Sequence, residues 1–260
     1  MPHTLYAIAF SHYVEKARWT LDRFGISYEQ SLLLPFFHIP AVAWAVRGRP
    51  GKADKTSSPF STPLLVLDDG QVLRTSTAIS KWVDTHFAKQ AGQSLYHSPE
   101  VAKLEQRFHD RLGPHTRRMA YWYLLPQRTL MRDIARRNVG AAQATAFGAS
   151  LPLLGPVMAR TLGVNRPAYE RSCAKLDALL DETDQMLKGR SYLVGDHLTA
   201  ADISLATLLS PMLRPPPSGR HVPPLDTLPK GLRAHIEATR NRPTGQWALE
   251  RFAQERLHTL

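Results

Sequence analysis

The chain has 260 residues, of which 43% are hydrophobic, a single cysteine and a net charge of +11. That length accommodates two compact domains with cores of their own, and the hydrophobic content excludes an intrinsically disordered chain. A lone Cys173 excludes an internal disulfide, and scattered histidines with neither a Cys pair nor an H-E-x-x-H motif argue against a metal centre. The first residues, MPHTLYAIAF, lack the basic flank of a signal peptide, so a cytoplasmic location is expected.

Residues 3–10, HTLYAIAF, form a short run apolar on both faces and predict a strand covered on both sides. SHYVEKARWTLDRFG follows, with Val14, Ala17, Leu21 and Phe24 at helical spacing and Gly25 as terminator. Ser11 falls at the mouth of this helix, where backbone N–H groups and the positive end of the dipole favour an anion beside its hydroxyl. Serine is also a common N-cap, which is the structural alternative. YEQSLLL, residues 28–34, predicts a second strand.

Residues 59–80, PFSTPLLVLDDGQVLRTSTAIS, carry the most informative pattern. Two strand segments, PLLVL and QVL, flank an Asp68-Asp69-Gly70 turn, and the second runs into Thr75-Ser76 at the start of a helix bearing Ile79, Trp82, Val83 and Phe87. Pro63 stands at the first strand position, where a missing N–H is tolerated and a cis X-Pro bond turns the backbone of Thr62 outward. An extended peptide-like ligand can add itself there as a further strand, with its carboxylate on the helix cap. The order is thus a βαβ unit followed by a ββα unit.

Gly92, Ser94 and Pro99 interrupt the periodicity over residues 89–99 and predict a boundary between domains at 1–89 and 99–260. Beyond it, Val101, Leu104, Phe108, Leu112, His115, Met119 and Trp122 predict one long amphipathic helix. FGASLPLLGPVMARTLGV, residues 147–164, is interrupted by Pro152, Gly155, Pro156 and Arg160 and predicts a broken, packed segment rather than a membrane span; its basic neighbours leave surface association with a membrane open. A further helix spans about 168–188, with Cys173 as a small packed hydrophobe. In YLVGDHLTAADISLA, residues 192–206, Thr199 and Asp202 have capping-box spacing, and Leu198 and Ile203 are placed as a hydrophobic staple. The proline-rich stretch 211–229 reads as a connector. Arginine is dense over 107–118 and 128–137, which predicts an anion-attracting face, yet Asp110 and Asp133 break the runs and no nucleic-acid motif is present.

The first ninety or so residues resemble the thioredoxin-fold domain of the glutathione transferase (GST) superfamily, through S-x-x-V-E-K-A-R at the first helix, T-P at residues 62–63 and L-x-T-S-x-A-I at residues 73–79. The remainder resembles that family's all-helical second domain, best over residues 192–206. The resemblance implies an α/β thioredoxin-like N-terminal domain followed by an all-α helical-bundle C-terminal domain, assembled as a homodimer. It also implies an enzyme that activates the thiol of glutathione, its co-substrate, and adds it to a small hydrophobic electrophile, with no metal. Little of a free thiol is ionised at neutral pH, and a hydrogen bond or helix dipole raises the reactive fraction. Ser11 is accordingly expected to donate its O–H to the glutathione sulfur, with His12 beside it as donor or base and Tyr6 and Tyr13 as rivals.

In the same resemblance Thr62, before the expected cis Pro63, exchanges backbone hydrogen bonds with the ligand, and Ser76 with the following N–H groups receives the γ-glutamyl carboxylate. Thr75 is a departure, because the family usually places Glu or Asp there to pair with the ligand ammonium. His38, Arg47, Lys52 and Lys55 are candidates for the glycyl carboxylate, and Phe10, Phe36, Phe37, Met119, Tyr121, Trp122 and Tyr123 for an apolar wall. No cysteine stands at the positions of Ser11 or Val14, which disfavours thiol-disulfide exchange by the protein itself. The alternative from another class is a non-catalytic binding or scaffold protein that keeps the fold, and Thr75 and His12 motivate it.

Overall fold

The computed structural model describes residues 2–49, 59–216 and 220–256, which form two compact units, one up to His97 and the other over Ser98–Arg256. In the first unit, β1 (His3–Ile8), α1 (His12–Arg23), β2 (Tyr28–Leu33), α2 (His38–Val46), β3 (Leu64–Val66), β4 (Val72–Leu73) and α3 (Ser76–Val83) follow in order, and a π-helical turn, Asp84–Ala88, extends α3. The sheet order is β2-β1-β3-β4, with β1 parallel to β2 and antiparallel to β3, and β3 antiparallel to β4. This is the expected βαβ plus ββα arrangement.

Alternation along the strands separates two cores. Leu5, Ala7, Leu65 and Leu67 join Val14, Ala17 and Leu21 of α1 and Ile79 and Val83 of α3 on one face. Leu64, Val66 and Val72 join Val42 and Ala45 of α2 on the other, with Tyr6 packed against them. Gly25 closes α1 at φ +63, a conformation that an L side chain adopts only with strain, and its N–H donates to the Asp22 carbonyl at 3.0 Å.

The second unit is all helical: α4 (Pro99–Arg111), α5 (Gly113–Leu124), α6 (Arg128–Asn138), α7 (Ala141–Thr161), α8 (Arg166–Met186), α9 (Ala200–Leu213), α10 (Lys230–Arg240) and α11 (Pro243–Glu255). Two expectations are corrected. The single long helix is two helices meeting at Leu112, because Pro114 has no N–H to continue the ladder. The broken segment 147–164 is largely one continuous helix, α7, with Pro152 and Pro156 inside it. Pro152 leaves the carbonyl of Gly148 without its intrahelical donor; the Arg132 guanidinium of α6 donates to that oxygen instead, at 3.4 Å. No helix among the described residues is long and apolar enough to cross a membrane.

Helix α9 is the centre of the second unit and is buried along almost its whole length. Its N-terminus carries the expected capping box. Asp202, with no exposed surface, accepts from the Thr199 N–H at 2.9 Å and from the Leu193 N–H at 2.8 Å. Burial pushes its carboxyl above the usual range although these donors pull the other way. Leu198 and Ile203, the staple positions, are both buried.

Asp202→Ala leaves two buried N–H groups unsatisfied and is expected to cost about 3–5 kcal/mol of stability in urea unfolding, with Asp202→Asn losing less. His115 supplies a second prediction. Burial, assisted by the charges of Arg118 and Lys175, lowers its pKa to about 4, so the folded chain holds it neutral while the unfolded chain protonates it near 6.5. The unfolded state therefore binds more protons between these values, and stability falls as pH drops from about 6.5 to about 4. His115→Gln should flatten that part of a stability-against-pH curve measured by chemical denaturation.

Candidate functional site

The strand register brings the sequence motifs to one end of the sheet. Tyr6 lies opposite Leu64, so Thr62 and Pro63 stand beside the chain as it leaves β1 towards Ser11. Leu65 lies opposite Leu73, so the chain leaving β4 reaches Thr75 and Ser76 at that same end. Lys16 Nζ donates to Thr77 Oγ1 at 3.2 Å, and Thr20 Oγ1 and Ser80 Oγ are 3.1 Å apart. These contacts advance together along α1 and α3, so the two helices run parallel with their N-termini side by side. Two positive dipole ends thus meet at one edge, an arrangement suited to anionic groups.

Ser11 is the N-cap of α1, with extended backbone at φ −77 and ψ 126. Its N–H donates to the Ile8 carbonyl at 2.9 Å and its carbonyl accepts from the Glu15 N–H at 2.9 Å, while its hydroxyl makes no capping hydrogen bond. The usual structural task of an N-cap serine is therefore not performed by this side chain. Thr75 differs: it caps α3, its Oγ1 accepting from the Ala78 N–H at 3.0 Å. Ser76 is 1% exposed, and its hydroxyl has no hydrogen-bond partner among the described residues. An unpartnered buried hydroxyl costs about 1–3 kcal/mol, a cost that a group accepting from it would relieve.

The Thr62-Pro63 peptide is cis, as expected; Pro63 is buried and Thr62 partly exposed. His12 is buried in the first turn of α1, its ring centroid 4.5 Å from that of Tyr13. Tyr6 packs on the α2 face of the sheet, away from α1 and α3. Of the candidates for a second carboxylate, His38 begins α2 with its pKa lowered by burial, and Arg47 sits 5.9 Å from the Trp44 ring. Lys52 and Lys55 lie outside the described residues. Phe36, in the turn before α2, holds a left-handed φ of 66, a strained conformation for a bulky residue. Met119 is core, Trp122 stacks on Tyr169 with centroids 5.1 Å apart, and the Tyr123 hydroxyl lies 2.6 Å from that of Tyr169, so all three take part in packing within the helical unit, Trp122 and Tyr123 remaining partly exposed.

Two residues that the sequence reading passes over shape the site. Lys16 has no exposed surface, and its bond to Thr77 ties α1 to the first turn of α3. Arg18, 5% exposed, donates to the Ala9 carbonyl at 2.8 Å and to Gln30 Oε1 of β2 at 2.8 Å, bracing the turn that presents Ser11. Both charges lie within the S-x-x-V-E-K-A-R pattern, the one signal that could have marked them. Among the described residues, no group of three or more His, Cys, Asp or Glu side chains is arranged to hold a metal ion.

Residues 5–91 match the family glutathione S-transferase, N-terminal domain, and residues 166–238 match glutathione S-transferase, C-terminal domain. No match is found among curated proteins. Among solved structures the chain is similar to a glutathione S-transferase of Ceriporiopsis subvermispora in complex with glutathione, at 15% identity and a TM-score of 0.59, covering 100% of this chain and 99% of that one. It is similar to a glutathione transferase of Phanerochaete chrysosporium at 16% identity and a TM-score of 0.57, covering 100% and 99%. A glutathione S-transferase of Methylobacterium radiotolerans in complex with glutathione sulfonate gives 16% identity and a TM-score of 0.52, covering 96% and 95%. At such identities these likenesses speak for the fold. With two family domains matched in order over more than half of its length, on a thioredoxin-like unit followed by a helical one, the chain belongs to the glutathione S-transferase superfamily.

Proposed function

We propose that the protein is a glutathione transferase, which activates the thiol of reduced glutathione and conjugates it to small hydrophobic electrophiles. The observation that carries this reading is the buried, unpartnered Ser76 hydroxyl at the shared positive end of α1 and α3. A γ-glutamyl carboxylate there would accept from Ser76 Oγ and from the first N–H groups of α3. Thr62, at the cis peptide, would exchange backbone hydrogen bonds with the cysteinyl residue, and the thiol would then lie towards Ser11. The uncommitted Ser11 hydroxyl donates to the sulfur and, with the α1 dipole, favours thiolate over thiol. The thiol proton passes to solvent and the thiolate sulfur forms a bond to the electrophilic carbon; in a substitution the leaving group departs with its electron pair, and in an addition to an enone the resulting enolate takes up a proton from solvent. His12, packed on Tyr13, flanks this position. A homodimeric assembly, a cytoplasmic location and independence from metal complete the proposal and rest on the family likeness.

The scaffold alternative draws on Thr75, whose hydroxyl is committed to capping and offers no charge to the ligand ammonium. Calorimetric titration with reduced glutathione, paired with turnover against a panel of aryl halides and enones, separates the two: binding without turnover of any electrophile favours the scaffold.

Ser11→Ala is expected to lower kcat/KM about 10–100-fold, the worth of a hydrogen bond to a charged atom, and to raise the bound thiol's pKa in ultraviolet titration of the thiolate. An unchanged pKa would remove Ser11 from the mechanism. Ser76→Ala should instead weaken glutathione binding about tenfold with kcat largely retained. Thr75→Asp keeps a good N-cap while adding a carboxylate for the ammonium, and is expected to tighten glutathione binding severalfold in the same calorimetric assay.

A further inference from the structure

Helices α6 and α7 form a hairpin whose two outer faces are chemically opposed. On α6 the exposed positions four residues apart are Arg128, Arg132 and Arg136. On α7 the exposed positions between residues 146 and 157 are small or apolar: Ala146, Ala149, Pro152, Leu153, Pro156 and Val157 make a continuous ridge, in which Leu153 is 79% and Val157 47% exposed. Contiguous exposed apolar surface of this kind marks an interaction site. Charge identifies the occupant: from Ile134 to Tyr169 there is no acidic residue, and the flanking Asp133 and Glu170 are each taken up by an arginine, Arg137 and Arg166. Arg128, Arg136 and Arg160 have no ion-pair partner among the described residues. Arg132 lies across the seam, its guanidinium on the Gly148 carbonyl, so cationic row and apolar ridge are held side by side. The ridge carries no aromatic anchor, since Phe147 is buried, which suits a fluid surface better than a protein groove.

We propose that the α6–α7 hairpin docks this protein on anionic membrane surfaces, Leu153 and Val157 entering the headgroup boundary while the α6 arginines meet lipid phosphates. The hairpin lies on the surface and does not span it. The proposal is independent of the thiol chemistry, because every residue it uses lies outside the thioredoxin-like unit.

Co-sedimentation of the full chain with vesicles tests it. Vesicles of phosphatidylcholine with about one third phosphatidylglycerol should bind the protein at low salt, at least about tenfold more tightly than phosphatidylcholine alone, and about 0.5 M salt should reverse binding. Arg128→Ser with Arg136→Ser should weaken binding about 30-fold, at roughly a factor of five per arginine. Leu153→Glu with Val157→Glu should weaken it at least about tenfold, with an unchanged circular dichroism spectrum and thermal midpoint. The proposal is overturned if the unmodified chain ignores acidic vesicles, or binds neutral ones equally. Unaltered vesicle binding by either folded double variant also overturns it. So does a dimer that the glutamate pair converts to monomers in sedimentation velocity while vesicles are ignored, which would assign the ridge to a second copy of the chain.

Discussion

The polar seam between α1 and α3 is the constraint on which the site depends. Two amphipathic helices could cover the same sheet face at many angles, but Lys16 to Thr77 and Thr20 to Ser80 fix them parallel and in register. Burying a lysine completely is expensive, and hydrogen bonding is what makes the burial tolerable. The geometry that results aligns two helix N-termini with the cis peptide at residues 62–63, so the positive ends of two helices converge at one end of the sheet. Arg18 extends the same principle outward, tying α1 to the preceding turn and to β2.

Much of this was legible in the chain because it is local. A strand, a tight turn, a strand and a capped helix over residues 59–80 are written in adjacent residues, and β1 and α1 likewise. The Thr199–Asp202 box was legible for the same reason, since its partners are three residues apart. The roles of Lys16 and Arg18 were not, because a charged residue in a sequence reads as solvent-facing and only the packing of α1 against its neighbours buries it. Thr75 shows the limit within a motif: its departure from an acid and its place at the helix start were visible, but not that its hydroxyl, rather than that of Ser76, accepts from Ala78.

The helical unit was harder to read. Periodicity ran through Leu112 without pause, and the weight of Pro114 against seven well-spaced residues, six of them apolar, could not be judged from spacing alone. In α7 the opposite happened: two prolines and a glycine argued for a break that the structure does not have. Trp122 and Tyr123 illustrate a third difficulty, since aromatic residues at helical spacing fit a substrate wall or a core equally well, and their partner Tyr169 lies 46 residues from Tyr123 in the chain.

The contact between Arg132 and the Gly148 carbonyl carries a thermodynamic consequence. An isolated peptide of the α7 sequence would fray at its prolines, because nothing within it replaces the lost donor. Helicity at Pro152 is supported by a neighbour across a two-residue loop, which couples the stability of α7 to that of α6.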